Sequence, residues 1–148
     1  MLRLAGRLQE GVAPWRDATA VGAAVEEWVR EAVDSDVSAR RVIFVAEERG
    51  EVVGFVTASA RQHFAGDLDA YAGELVVDRR AEGRGIGRML MTAAEDWARA
   101  QGLAHISLDT GAANAHARAF YRALGYEEED IKLTKPLHPE NARSSGGA

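Results

Sequence analysis

Residues 80–88 read Arg80-Ala81-Glu82-Gly83-Arg84-Gly85-Ile86-Gly87-Arg88 and join a strand-like apolar run, Glu74-Leu75-Val76-Val77, to a long amphipathic helical stretch. Glycine at every second position leaves backbone N–H groups uncovered by side chains. The helix that follows directs its positive end back at them, which makes the turn a cradle for a phosphate or pyrophosphate. A glycine-rich strand-to-helix turn can also exist for packing alone, and the turn by itself leaves both readings open.

Two well-defined phosphate loops are excluded. No Gly-Lys-Ser/Thr follows, so the turn is not a P-loop, and Gly83/Gly85/Gly87 is G-x-G-x-G where a dinucleotide fingerprint requires G-x-G-x-x-G. The formal net charge of −5 argues against general nucleic-acid binding. Against that background Arg79, Arg80, Arg84 and Arg88 crowd the turn with only Glu82 opposing them. Cations at a helix start oppose its dipole, so their clustering favours an anionic ligand over a solvated face.

The chain has 148 residues and no cysteine, which suits one domain and excludes disulfides and thiolate chemistry. His63, His105, His116 and His138 are scattered, so no metal site is expected. Met1-Leu2-Arg3-Leu4 opens no apolar leader, and no run approaches the ~18 residues of a membrane span, so a cytoplasmic protein is expected.

Periodicity predicts a helix over 17–34 with Val21, Val25, Trp28, Val29 and Ala32 on one face and Asp17 as N-cap. Residues 42–60 read as a hairpin turning at Glu48-Arg49-Gly50-Glu51, 61–70 as a polar loop and 70–78 as a third strand. A helix over 84–101 stops at Gly102, a strand spans 105–109, and a helix runs from Asn114 to Gly125. A short strand from Tyr126 and a last one over 131–137 follow, then a tail at 138–148. Hairpin strands followed by strand–helix–strand–helix–strand imply an α/β fold, a mixed sheet with helices packed on it.

A second motif lies at Asn114-Ala-His-Ala-Arg-Ala-Phe120-Tyr121-Arg-Ala-Leu124-Gly125-Tyr126. Asn114 and Tyr121, seven apart, share a helical face, while Ala117, Phe120 and Leu124 form a core stripe. A buried phenol beside a capping asparagine is by itself most simply structural. Together with the glycine turn, however, the segment resembles the GNAT superfamily of N-acetyltransferases over about residues 42–137. Arg80-Ala-Glu-Gly83-Arg-Gly85 is similar to the family's R/Q-x-x-G-x-G/A signature, and Glu74–Asp78 to the strand before it. Asn114–Tyr126 is similar to its N-x-x-A-x-x-F-Y-x-x-x-G-F/Y stretch. Departures are Arg79 where proline is common, Glu82 where arginine is common, and a poor first strand at Leu2-Arg3-Leu4.

The resemblance implies a partly splayed sheet with helices on both faces, forming one acetyltransferase domain over 1–137. It implies acetyl-CoA as the donor cosubstrate, no metal, and direct acetyl transfer to an amine. Pantetheine would lie along Leu75, Val76 and Val77 as an added strand. Pyrophosphate would sit at Gly83, Arg84, Gly85, Ile86, Gly87 and Arg88, with Arg80 and Asn114 also holding the CoA arm. Glu74 is the candidate base, its alternative being a plain surface carboxylate. Tyr121, by family position, is the general acid toward the departing thiolate. A β-bulge near Leu75–Val76 would supply an oxyanion donor.

His63, Phe64, Asp67, Asp69 and Tyr71 fall close to Glu74 in sequence and suit a small cationic primary amine, although a solvated polar loop is the plainer reading of them. A protein amine, a catalytically silent acyl-CoA-binding module and a nucleotide-binding enzyme stay as alternatives. No nucleic-acid or membrane partner is expected, and a homodimer is compatible with the sequence.

Overall fold

The computed structural model describes residues 3–4, 7, 12, 16–34 and 40–137. Helix α1 (Ala18–Asp34) starts where Asp17 Oδ1 accepts the Ala20 N–H at 2.7 Å, the expected cap. Of its expected apolar face, Val21 and Val25 pack on the sheet, and the side chains of Trp28, Val29 and Ala32 lie outside the described residues.

Strands β1 (Arg41–Glu48) and β2 (Glu51–Gln62) pair antiparallel. The two-residue turn between them has Arg49 at φ 51° and Gly50 at φ 81°. Two left-handed residues match the twist of a tight hairpin, and glycine carries the second at no steric cost. Strand β3 (Leu68–Val77) pairs antiparallel with β2, and β4 (Ile106–Leu108) pairs parallel with β3, giving a mixed sheet in the order β1-β2-β3-β4.

The two ends of β3 behave differently. Ala70–Ala72 pair with Ile106–Leu108, whereas β3 runs on to Val77 with β2 alone beside it. The sheet is therefore splayed between β3 and β4, and residues 74–77 present an outer edge with no strand beside it among the described residues.

Helix α2 (Ile86–Ala100) follows a 3₁₀ turn at Arg79–Ala81 and lays Ile86, Leu90, Met91 and Ala94 on Val53, Val56, Ala58 and Ala72. Helix α3 (Ala115–Ala123) adds Phe120, Tyr121 and Leu124 to the same cluster. On the opposite face Val25 and Leu4 cover Phe55 and Val76. Helices thus pack on both faces of the sheet, as expected. Among the described residues no helix is long and apolar enough to cross a membrane.

Three expectations are corrected. The polar loop expected at 61–70 shrinks to 63–67, because β2 and β3 continue their ladder through Arg61↔Asp69 and Gln62↔Leu68. Arg3 and Leu4 form a tight turn instead of a strand; Leu4 is buried, and Arg3 bonds Asp78. Neither strand expected after Gly125 forms. Tyr126 packs on the core and donates to Glu95 at 3.1 Å. Beyond it come four consecutive acidic residues, of which Glu128 pairs with Arg118 and Arg122 of α3. The chain is drawn along the helix instead of to the sheet, leaving Ile131 and Leu133 exposed. The expected tail at 138–148 lies outside the described residues.

Candidate functional site

At the end of β3 the backbone makes two left-handed residues, Gly83 at φ 71° and Gly85 at φ 80°. A Cβ built on either would meet no atom within 4 Å, so both open onto free space. Gly85 is the N-cap of α2 and supplies no capping side chain. The first-turn amides of Ile86, Gly87 and Arg88 precede the first intrahelical bond, from the Met89 N–H to the Gly85 carbonyl at 3.0 Å. Uncapped amides, a helix dipole and a side-chain-free approach coincide here, and an anion fits them.

Gly87 has a different reason. A Cβ there would lie 3.2 Å from the Phe120 ring, so its missing side chain lets α2 and α3 approach each other. The packing reading of the glycines holds at this one position. The side chains of Ile86, Leu75, Val76 and Val77 are all in the two apolar clusters, which leaves only their backbone for a ligand.

The arginines are mostly committed. Arg80 donates to Asp78 Oδ2 at 3.0 Å, and Arg3 donates to the same oxygen at 2.6 Å. These guanidinium groups hold the Asp78 carboxyl well below the usual carboxylate range, and Asp78 raises Arg80 in turn. Arg84 forks onto Glu48 of β1, one of the two bonds at 3.0 Å. Both pairs line a concavity of about 750 Å³ with Glu51, whose carboxylates make it a poor place for a pyrophosphate. Arg88, exposed on the first turn of α2, has no ion pair among the described residues.

The β2–β3 register slips opposite Thr57. Val56 faces Leu75 but Ala58 faces Ala72, so Gly73 and Glu74 together oppose one residue. This β-bulge lies slightly nearer the start of β3 than expected. Buried Thr57 holds it by accepting the Glu74 N–H at 3.0 Å and donating its hydroxyl to the Glu74 carboxylate. A Cβ at Gly73 would come within 2.7 Å of Thr57 Oγ1, so only glycine fits. Because Thr57 takes the Glu74 amide, that N–H is not available to a ligand. Thr57 is a site residue the sequence reading passed over; its signal is one hydroxyl inside the apolar run Val52–Ala58.

Across the splay, Asn114 Oδ1 accepts the Ala117 N–H at 3.0 Å and caps α3. About two turns further, the Tyr121 ring packs edge-on against Phe120 and Tyr126, at centroid distances of 5.2 and 5.7 Å. Burial pushes the Tyr121 phenol up to about 12. Its hydroxyl has no hydrogen-bond partner among the described residues.

The sequence comparisons agree with this geometry. The family model for the acetyltransferase (GNAT) family matches residues 10–126. The chain belongs to that family. An uncharacterized N-acetyltransferase, MJ1207, of Methanocaldococcus jannaschii is 34% identical over 92 residues, covering 60% of this chain and 40% of that protein. This chain spans less than half the length of the first curated relatives it matches. Aminoglycoside N(6')-acetyltransferase type 1 of Stenotrophomonas maltophilia is 27% identical over 118 residues, covering 75% and 77% of the two chains. Among solved structures, a putative acetyl transferase from Pyrococcus furiosus superposes with a TM-score of 0.74 at 24% identity, covering 92% of this chain and 91% of that one.

For this GNAT chain the acidic departure at Glu82 has a structural answer. Glu82 pairs with Arg7 at 2.5 Å, which neutralises it beside the turn. The expected grouping of Asp67, Asp69 and Glu74 is not formed. Asp69 faces His105 at 3.2 Å, and Asp67 sits in the hairpin turn. At about 3.3 Å of rise per residue, and with one residue taken up by the bulge, Asp69 and Glu74 stand roughly 13–16 Å apart along β3.

Proposed function

We propose that this chain is an N-acetyltransferase that moves the acetyl group from acetyl-CoA directly to a small primary amine, which arrives as its ammonium ion. The observation that carries the reading is the pair of left-handed glycines, Gly83 and Gly85, opening onto free space at the uncapped start of α2. The open edge of β3 leads straight into it. Pyrophosphate binds the amides of 83–88, and pantetheine adds to β3 along Leu75, Val76 and Val77. Arg88 supplies the nearby positive charge. Arg80 and Arg84 hold the turn against Asp78 and Glu48 and act on the phosphates only by their field. Asn114 fixes the start of α3, and so the position of Tyr121, by its cap.

The chemistry needs two proton movements. The ammonium passes a proton to Glu74, directly or through one water, and the freed lone pair attacks the thioester carbonyl carbon. The C–N bond forms, the C–S bond breaks with the departing sulfur hydrogen-bonded by the Tyr121 hydroxyl, and the second proton of the attacking nitrogen passes through solvent to the thiolate. Thr57 keeps the Glu74 carboxylate in place by its hydrogen bond. No covalent enzyme intermediate is required.

The test is a screen of primary amines for CoA release, with mass detection of the acetylated product. Acetyl-CoA at a hundred times its Kd should stabilise the fold by about 2.7 kcal/mol in a thermal shift, and NAD or ATP should do less. Turnover on at least one amine is expected. Acetyl-CoA binding without turnover on any amine would mark a silent acyl-CoA-binding module, and a larger shift with NAD or ATP would mark a nucleotide enzyme. Glu74→Gln should lower kcat about tenfold at pH 7, and more at lower pH where the amine is hardest to deprotonate. That is below the usual general-base contribution because water remains as a weaker base. A pH-independent loss would leave Glu74 a structural partner of Thr57.

A further inference from the structure

Thr57, Ser59 and Arg61 alternate along β2 on the face where, among the described residues, Val21 and Val25 of α1 reach the Phe55 end. At the other end of that row the Arg61 guanidinium lies 3.6 Å above the centroid of the Tyr71 ring. The ring is itself held, since Tyr71 donates its hydroxyl to Asp109 at 2.8 Å. Burial and Asp109 push that phenol up to about 12, so the anchoring bond persists across neutral and mildly alkaline pH. The nearest acid across the strand pair, Asp69, is engaged by His105. Arg61 makes no ion pair among the described residues. Its planar fork is therefore pre-set by the ring and open to a ligand. It lines a pocket of about 170 Å³ with His63, Asp69, Tyr71 and Ser107.

We infer that the acceptor carries a carboxylate, which the Arg61 fork receives while the amine reaches Glu74. The inference rests on the acetyl-transfer reading of the site. Arg61 leans over Tyr71, whose strand position lies three residues before Glu74. With a rise of about 3.3 Å per residue, the guanidinium and the Glu74 carboxylate are roughly 7–10 Å apart. With about 3–4 Å at each end taken up by the two hydrogen bonds, that span fits an amino group and a carboxylate one or two carbons apart. A dianionic phosphate is disfavoured by Asp69 in the same pocket, whereas a planar monoanion matches the fork in shape and charge.

Turnover and binding of β-alanine and propylamine test this, since the two share amine and chain length and differ in the carboxylate. The expected preference in kcat/KM is about 10- to 100-fold for β-alanine, the usual range for a hydrogen bond to a charged group. Arg61→Gln should bring the ratio close to one. Arg61→Lys, which keeps the charge without the flat fork, should fall between, with circular dichroism confirming that both variants fold. Calorimetry on CoA-loaded protein supplies a readout independent of chemistry. Equal turnover of the two amines, or a preference that survives Arg61→Gln, overturns the Arg61 assignment. Arg61-dependent binding of β-alanine without acetylation keeps that assignment and overturns acetyl transfer. No binding of either compound overturns the Arg61 assignment and leaves acetyl transfer to be decided by the wider amine screen.

Discussion

Gly85→Asp should abolish measurable CoA binding, a loss of at least about a hundredfold, while the protein still folds. Two effects combine at this residue. Its φ of 80° is a left-handed conformation that costs an L-residue roughly 1–2 kcal/mol. The space where its Cβ would stand is otherwise empty, so an aspartate puts a carboxylate where the proposed site holds the pyrophosphate. Repulsion and lost amide contacts then add to the backbone strain. Gly102→Ala separates the contributions. Gly102 has φ 74° at the far end of α2, also with nothing near its Cβ, so it carries similar strain away from the cradle. Calorimetric titration with CoA should show parent-like affinity for Gly102→Ala and none for Gly85→Asp. A folded Gly85→Asp protein that binds CoA like the parent would remove the phosphate from this turn.

The glycine turn was legible because its signal is local. Positive φ and side-chain-free amides are demanded residue by residue, and only glycine meets both cheaply. The caps at Asp17 and Asn114 and the hairpin at Arg49-Gly50 were legible for the same reason, each being settled within four residues. The errors arise where a distant partner decides. Residues 61 and 62 are polar, yet they are strand because Asp69 and Leu68 stand opposite them. Ile131 and Leu133 alternate like a strand, yet Glu128 is held on α3 and no ladder forms. Gly73 is invisible as a bulge until Thr57 is placed 2.7 Å from its missing Cβ. The arginine cluster likewise reads as free positive charge until Glu48 arrives from β1 to take Arg84, although Asp78, two residues from Arg80, was a local partner in plain view.

Tyr121→Phe should lower kcat by about ten- to several-hundred-fold and leave CoA affinity nearly unchanged, the lower part of the usual acid–base contribution. The ring explains the unchanged affinity. Its edge contacts with Phe120 and Tyr126 survive in phenylalanine, and no protein hydrogen bond to the hydroxyl is lost among the described residues. In the proposed mechanism the effect falls on turnover, because there the hydroxyl acts on the sulfur only as negative charge develops, an interaction confined to the transition state. The raised phenol pKa fixes how it acts. A group at about 12 stays protonated at every working pH, so it is always ready to donate. A free thiol titrates near 8.5, so complete transfer of the phenolic proton to a thiolate is uphill, and the main contribution is a strengthening hydrogen bond as the C–S bond opens. The pH–rate profile should accordingly show no falling alkaline limb from Tyr121 below about pH 11, because its neutral form is the active one and burial extends that form upward. The Phe variant should be least impaired with acetyl donors whose thiols are more acidic, since those depart without help. Parent-like turnover in Tyr121→Phe, with bond breaking rate-limiting, would return Tyr121 to the core as a packing residue.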